Sequence, residues 1–222
     1  MTSAAEDNYL KAIYKIANYS GDKTVSTKSI AEEMQTSAPA VTDMLHKLAE
    51  KKLVQYQKYY GVKLSKEGQV VALQLLRRHR LWETFLHDKL GFSWAEVHPL
   101  AEQLEHIRSE ALIDSLDQFL GQPKFDPHGD PIPNAQGNIT MRSHLILSEI
   151  VPGDEIYQII AVRQQSEDFL KFLSEHKMTP GRCIRLKSVN AFDRSCLIIN
   201  ELDASISISN QYARQIFVKN IT

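Results

Sequence analysis

Cysteine is scarce in this chain of 222 residues, which has only Cys183 and Cys196. Both stand in apolar, strand-like stretches, RCIRL and SCLII, which suits buried reduced thiols and leaves no disulfide framework to hold the fold. No apolar run approaches the ~18 residues that a membrane span requires. The N-terminal MTSAAEDNYLKAIYKI lacks a basic stretch leading into an apolar one, so a cytoplasmic protein without a membrane partner is expected. Net charge is nearly absent too, −1 over the whole chain, which argues against indiscriminate coating of nucleic acid. Arginine is missing from residues 1–72, where ten Lys face eight Asp and Glu. Six of those lysines (47, 51, 52, 58, 63 and 66) fall within 44–66 against Glu50 alone, a local net of +5 on a near-neutral protein. Such a patch is the footprint of a polyanionic partner.

What is present is organised in three stretches. Residues 5–19 carry Tyr9, Ile13 and Ile16 at helical spacing and end in the turn NYSGDK. A helix is expected to start at Ser26 or Thr27, and a second after QTS, with Ser37 as its N-cap, Pro39 in its first turn and Val41, Leu45 and Leu48 as its core face. Two short helices joined by about three residues suggest a helix-turn-helix. The following LVQYQKYYGVKLS reads as two strands about a Gly61 turn, and a helix-turn-helix with a basic hairpin is a winged helix. Ser65 should cap a long helix ending at Gly91, whose apolar content suits a core or a partner helix. Ser93 with Glu96 forms a capping box, Pro99 should interrupt or restart that helix near His98, and SEALIDSLDQFLG is a further helix. The Pro-, Gly- and Asp-dense QPKFDPHGDPIPNAQG reads as a linker. From about 144 the pattern becomes short strands (SHLILSEIV, EIYQIIAVRQ, GRCIRLKSVN, CLIINEL, ASISISN, QIFVKNI) interrupted by the helix SEDFLKFLSEH, which fits a small SH3-like barrel.

Two sets of residues carry chemistry. In the winged helix, Ser37, Pro39, Ala40 and Thr42 would face bases, while Lys47, Lys51, Lys52, Lys58 and Lys63 would contact phosphates. Asp43 repels phosphate, so it accepts from a cytosine amine or faces away. The alternative is a winged-helix module that docks protein. In VHPLAEQLEHIRSE, an α-helix at about 100° per residue would put His98, Glu102, Glu105 and His106 on one face. That face is either solvated or a divalent-metal site, and RRHRLWE adds His79 and Glu83 one turn apart. Histidine and carboxylate without cysteine suit Mn(II), Fe(II), Co(II) or Zn(II). His46, His87, His128, His144 and His176 lack such partners and read as surface or capping residues.

EDNYLKAIYKI, SAPAVTDMLHKL, LVQYQKYYGVKLSKEG, RHRLWETFL, VHPLAEQLEH and the region opening at VPGDEIYQI together resemble the diphtheria toxin repressor family of metal-dependent transcriptional regulators, over essentially the whole chain. The resemblance implies an α+β protein: a winged helix-turn-helix (1–72), a helical dimerisation and metal-binding domain with linker (73–140), and an SH3-like β-barrel of FeoA type (141–222). It implies a regulatory site of Glu102, Glu105 and His106 with a ligand from the first helix. There the family usually has Met or Asp and this chain has Asn8, with Asp7 or Glu6 as substitutes. It also implies an ancillary site of His79, Glu83 and His98 completed by Gln165 and Asp168. Glu102 resembles the manganese branch, since the iron branch has Cys there. Lys11 departs from that branch, which carries a carboxylate at this point, so two separated sites are expected.

The function implied is a homodimeric repressor of metal homeostasis that binds a palindromic double-stranded operator with Mn(II) or Fe(II) bound, Co(II) or Zn(II) substituting in vitro. It would be no enzyme and would take no small organic substrate. A hydrolase with Glu83 or Glu102 as general base, and a metal-independent winged-helix adaptor, are the rival classes. No nucleophile or oxyanion motif accompanies the His/Glu cluster.

Overall fold

The computed structural model describes residues 2–21 and 24–221. Asp22 and Lys23 of the NYSGDK turn, and the termini of the first and last expected domains, lie outside the described residues. The chain divides into two compact units: Met1–His79 with Glu105–Arg108 and Pro133–Asn138, and Arg80–Leu104 with Ser109–Ile132 and Ile139–Thr222.

The first unit contains α1 (Ala4–Ser20), α2 (Thr27–Glu33), α3 (Ala38–Glu50), β1 (Val54–Gln57) and β2 (Gly61–Leu64), and α4 (Lys66–Leu90) begins in it. Local chemistry sets each start. Ser3 and Glu6 cap each other's backbone at α1, and the side chains of Ser26 and Ser37 accept from Ser29 and Ala40 N–H at α2 and α3. Each such cap contributes about 1 kcal/mol. Leu10, Ile13, Ile30, Val41, Leu45, Leu48 and Val62 close the core. The strands pair antiparallel, Gln57 opposite Gly61. Gly61 has φ 104°, and a Cβ there would stand 2.5 Å from the Val25 carbonyl oxygen, so only glycine fits this turn. The helix-turn-helix and its wing are therefore as the sequence predicts.

The second unit holds the rest of α4, then α5 (Val97–Leu104), α6 (Glu110–Phe119), β3 (Leu145–Ile146), β4 (Tyr157–Val162), α7 (Glu167–Glu175), β5 (Cys183–Val189), β6 (Cys196–Asn200), β7 (Ser205–Ile208), α8 (Asn210–Ala213) and β8 (Ile216–Asn220). The strands form one antiparallel six-stranded sheet in the order β3-β8-β4-β5-β6-β7. Leu147, Ile159, Leu170, Leu186, Ile198 and Val218 lie in its core. This is the SH3-like β element of an α+β fold. Both cysteines are free, Cys196 buried and Cys183 half-buried. Among the described residues no helix is long and apolar enough to cross a membrane.

Three expectations change. The stretch SHLILSEIV keeps only two strand residues before a 3-10 turn at Leu147–Glu149. The run 122–137 is no open linker: Asp126, His128 and Ile132 are buried, Ile132 in a cluster with Leu81, Ile113 and Leu116. Third, α5 starts at Val97 with Pro99 in its first turn and stops at Leu104. Glu105 and His106 thus lie beyond the helix, and the single four-residue helical face does not exist.

Candidate metal centre and DNA-binding surface

The first candidate centre belongs to the first unit. Arg78 Nε donates to the Glu105 carbonyl oxygen at 2.8 Å, supplying one of the donor partners that carbonyls at a helix end lack. The Glu105 carboxylate is fully buried, with Lys11 Nζ 2.6 Å from Oε1 and His79 Nδ1 2.5 Å from Oε2. The His79 contact is off the line of an ordinary hydrogen bond, so short separation and charge carry it. Burial pushes the Glu105 carboxyl up, but His79 and Lys11 together outweigh burial and hold it below the usual range. His106 Nε2 stands 3.9 Å from Glu105 Oε1.

On α1, Glu6 and Asp7 have cationic partners. Both Glu6 oxygens accept from Lys51 Nζ, at 2.7 and 2.8 Å, and Arg108 Nη2 donates to Asp7 Oδ2 at 2.7 Å. Lys51, expected on phosphate, is thus engaged elsewhere. Asn8 Oδ1, Asp7 Oδ1 and His106 Nδ1 are among the buried atoms of this unit that have no hydrogen-bond partner. Buried polar atoms are normally satisfied, and hard oxygens beside an imidazole nitrogen and a buried carboxylate suit a divalent cation. The residues fit a metal. Asn8, Glu105 and His106 would hold it, with Asp7 as a further oxygen donor. Glu102, which the resemblance adds to them, belongs to the second unit, where it is exposed with Oε1 3.6 Å from His98 Nε2.

The second candidate centre surrounds Glu83, one turn after His79 on α4. Glu83 is buried, its Oε1 3.0 Å from His98 Nδ1 and its Oε2 3.6 Å from His128 Nδ1. His128 Nε2 donates to the Trp94 carbonyl at 2.7 Å. That bond fixes the tautomer and leaves Nδ1 as the coordinating nitrogen, as an imidazole ligand requires. Ligand atoms of Glu83, Asp126 and His128 lie within 4.8 Å of one another. Asp126 Oδ1 accepts from the N–H groups of His128 and Asp130, and Oδ2 faces Arg80 Nε at 3.6 Å. Gly129, with φ 88°, permits this turn, since a Cβ there would stand 2.1 Å from the Ile160 carbonyl oxygen.

His128 is therefore no surface residue. Asp126 and His128 are missed because DPHGD reads as linker, although its Asp-x-His spacing beside Glu83 would have been the signal. Gln165 Nε2 donates to Asp130 Oδ2 at 3.1 Å, and Asp168 is exposed in the first turn of α7. Among the described residues the ligand cluster of Glu83, Asp126 and His128 does not include Asp168.

The DNA-binding candidates all lie in the first unit. Ser37, Pro39, Ala40, Asp43 and Lys47 of α3 and its cap are exposed, as are Lys58 and Lys63 of the wing. Thr42 is half-buried and its hydroxyl donates to the Ala38 carbonyl. His46 packs edge-on against Tyr56, ring centroids 5.3 Å apart, which ties α3 to β1. Lys63→Ala should weaken DNA binding by about two- to fivefold at every sequence and reduce the salt slope by about one, read by anisotropy at several salt concentrations.

Residues 1–62 match the family described as iron dependent repressor, N-terminal DNA binding domain. Residues 65–134 match its metal binding and dimerisation domain, and residues 146–220 the FeoA domain. The iron-dependent repressor IdeR of Mycobacterium leprae is 32% identical over 125 residues, 56% of this chain and 54% of that protein. The chain thus spans about half the length of the curated relatives it matches. A solved manganese-dependent transcriptional repressor in complex with manganese superimposes with a TM-score of 0.88 at 32% identity, covering 97% of this chain and 100% of that one. ScaR with bound Zn2+ does so with 0.79 at 32% identity, covering 97% and 99%. The chain belongs to the diphtheria toxin repressor family of metal-dependent regulators.

Proposed function

We propose that this chain is a metal-activated transcriptional repressor that binds a palindromic operator as a homodimer and serves metal-ion homeostasis. The observation that carries the reading is the shared unit: Glu105 and His106 fold into the same compact body as the winged helix, beside α1. A divalent cation there would draw Asn8 of α1 and residues 105–106 onto one centre. The donor set of amide oxygen, carboxylate and imidazole favours Mn(II) or Fe(II), with Co(II) and Zn(II) as substitutes. By holding α1, the centre restricts the arrangements available to the helix-turn-helix packed against it. Two recognition helices must reach half-sites a helical turn or a multiple apart, and any restriction that favours that geometry raises affinity. The dimer reading draws on Leu112 and Phe119 of α6 and Leu90 of α4, large apolar side chains left exposed.

Glu83 would anchor the second centre, with His98 on one oxygen and His128 on the other, and with His79, Gln165 and Asp168 as the donors that the resemblance adds. The direct test is anisotropy on a palindromic duplex recovered by selection in Mn(II), titrated anaerobically with Mn(II), Fe(II), Co(II), Zn(II) or EDTA. Mn(II) or Fe(II) should tighten binding about 10- to 100-fold over EDTA. Equal affinity in metal and in EDTA overturns the reading.

A further inference from the structure

Lys11 is almost fully buried, 6% exposed, with its ammonium 2.6 Å from Glu105 Oε1. It stands three residues after Asn8 on α1, hence on the same side of the helix. With Arg108 on Asp7 it completes two ion pairs of opposite sense between α1 and residues 105–108, one cation from each side. These contacts need no metal. They also engage the carboxylate that a metal would use, since Lys11 occupies Oε1 and His79 stands against Oε2.

We propose that Lys11 is the resident cation of this centre and sets its affinity for divalent metal. An ammonium has three donors and no lone pair, so it cannot ligate. Its hydrogen bond occupies an oxygen lone pair that a metal needs, and its charge opposes a second cation nearby in a poorly screened interior. In the metal-free protein it neutralises Glu105, which would otherwise be a buried uncompensated charge. The metal must therefore enter against Lys11, and the centre fills only when the free ion is plentiful. This rests on reading Asn8, Glu105 and His106 as a cation site.

The test is Mn(II) binding by the full chain without DNA, with free ion read by electron paramagnetic resonance. Lys11→Met keeps the apolar stem and removes the charge, and it should bind Mn(II) about tenfold tighter. Its metal-free form should melt below the wild type, and Mn(II) should raise its Tm by more. Lys11→Arg keeps the charge and should hold affinity near the wild-type value. Should Lys11→Met not fold without metal, Lys11→Gln takes its place. Unchanged or weaker Mn(II) binding on loss of the charge overturns the proposal, as does equal tightening in Lys11→Arg. Glu105→Gln and His106→Ala separate the two levels. Wild-type Mn(II) stoichiometry and affinity in both overturn the cation-site reading and this proposal with it, whereas loss of the first centre's Mn(II) in both, the ion at Glu83 retained, with unchanged Lys11→Met overturns the role of Lys11 alone.

Discussion

Glu105→Gln is expected to erase the response of operator binding to Mn(II), leaving the variant in saturating metal at the affinity the wild type shows in EDTA, about 10- to 100-fold weaker. The carboxylate is fully buried, and Lys11 and His79 both approach it. Glutamine keeps the shape and removes the charge, so the metal loses an anionic ligand and Lys11 loses its counter-ion. Breaking a buried ion pair from one side costs about 3–5 kcal/mol, and lost DNA binding could then be lost folding. The double variant Glu105→Gln/Lys11→Met removes both charges. Its thermal stability by circular dichroism should recover most of that loss while its metal response stays absent. His106→Ala should give the same loss of response with little change in Tm, because His106 is partly exposed and 3.9 Å from the carboxylate. A normal Mn(II) response in both Glu105→Gln and His106→Ala removes these residues from the regulatory site.

Much of the winged helix was legible because its determinants are local. Ser26, Ser37 and Ser65 each accept from a backbone N–H three residues on, and Gly61 marks the wing turn through its own conformation. A pattern of this kind needs no knowledge of distant neighbours. The centre was legible in residue type and less so in geometry. The spacing of His98, Glu102, Glu105 and His106 reads as one helical face, yet Arg78 and Lys11, 27 and 94 residues away in sequence, meet Glu105 just past the end of α5. Only tertiary structure brings those cations there. Asp126 and His128 were hidden for the opposite reason: their neighbours Pro127, Gly129 and Pro131 signal irregular backbone, which here is irregular and buried. Lys11 carried a weak signal, a charged residue between Leu10 and Ile13 that are wholly buried.

In EDTA the stability of the protein should fall as pH rises from 6 to 9, by about 5–10 °C in Tm. The reason lies at the second centre. Burial alone would lower the His128 pKa, but the Glu83 carboxylate beside it, with Asp126 and the Trp94 carbonyl, outweighs burial and raises it from 6.5 to about 9. A group whose folded pKa is raised binds its proton more tightly in the folded state, so its contribution is fully present below about pH 6.5 and is lost as pH rises through about 9. That is on the order of 3 kcal/mol, equivalent to several degrees for a chain of this size. Asp126 is raised as well, by burial first and then by the charges of Glu83 and Asp130, and it acts in the same direction. A metal reverses the dependence, because an imidazolium and a carboxylic acid cannot ligate and must release their protons on binding. Calorimetric titration of Mn(II) into Glu105→Gln, which silences the first centre, should therefore show release of about one to two protons per ion at pH 7 when buffers of different ionisation enthalpy are compared. A Tm that is level from pH 6 to 9 in EDTA, or binding without proton release, means that His128 is neutral in the metal-free protein. Glu83 would then lack the His128 imidazolium as a partner.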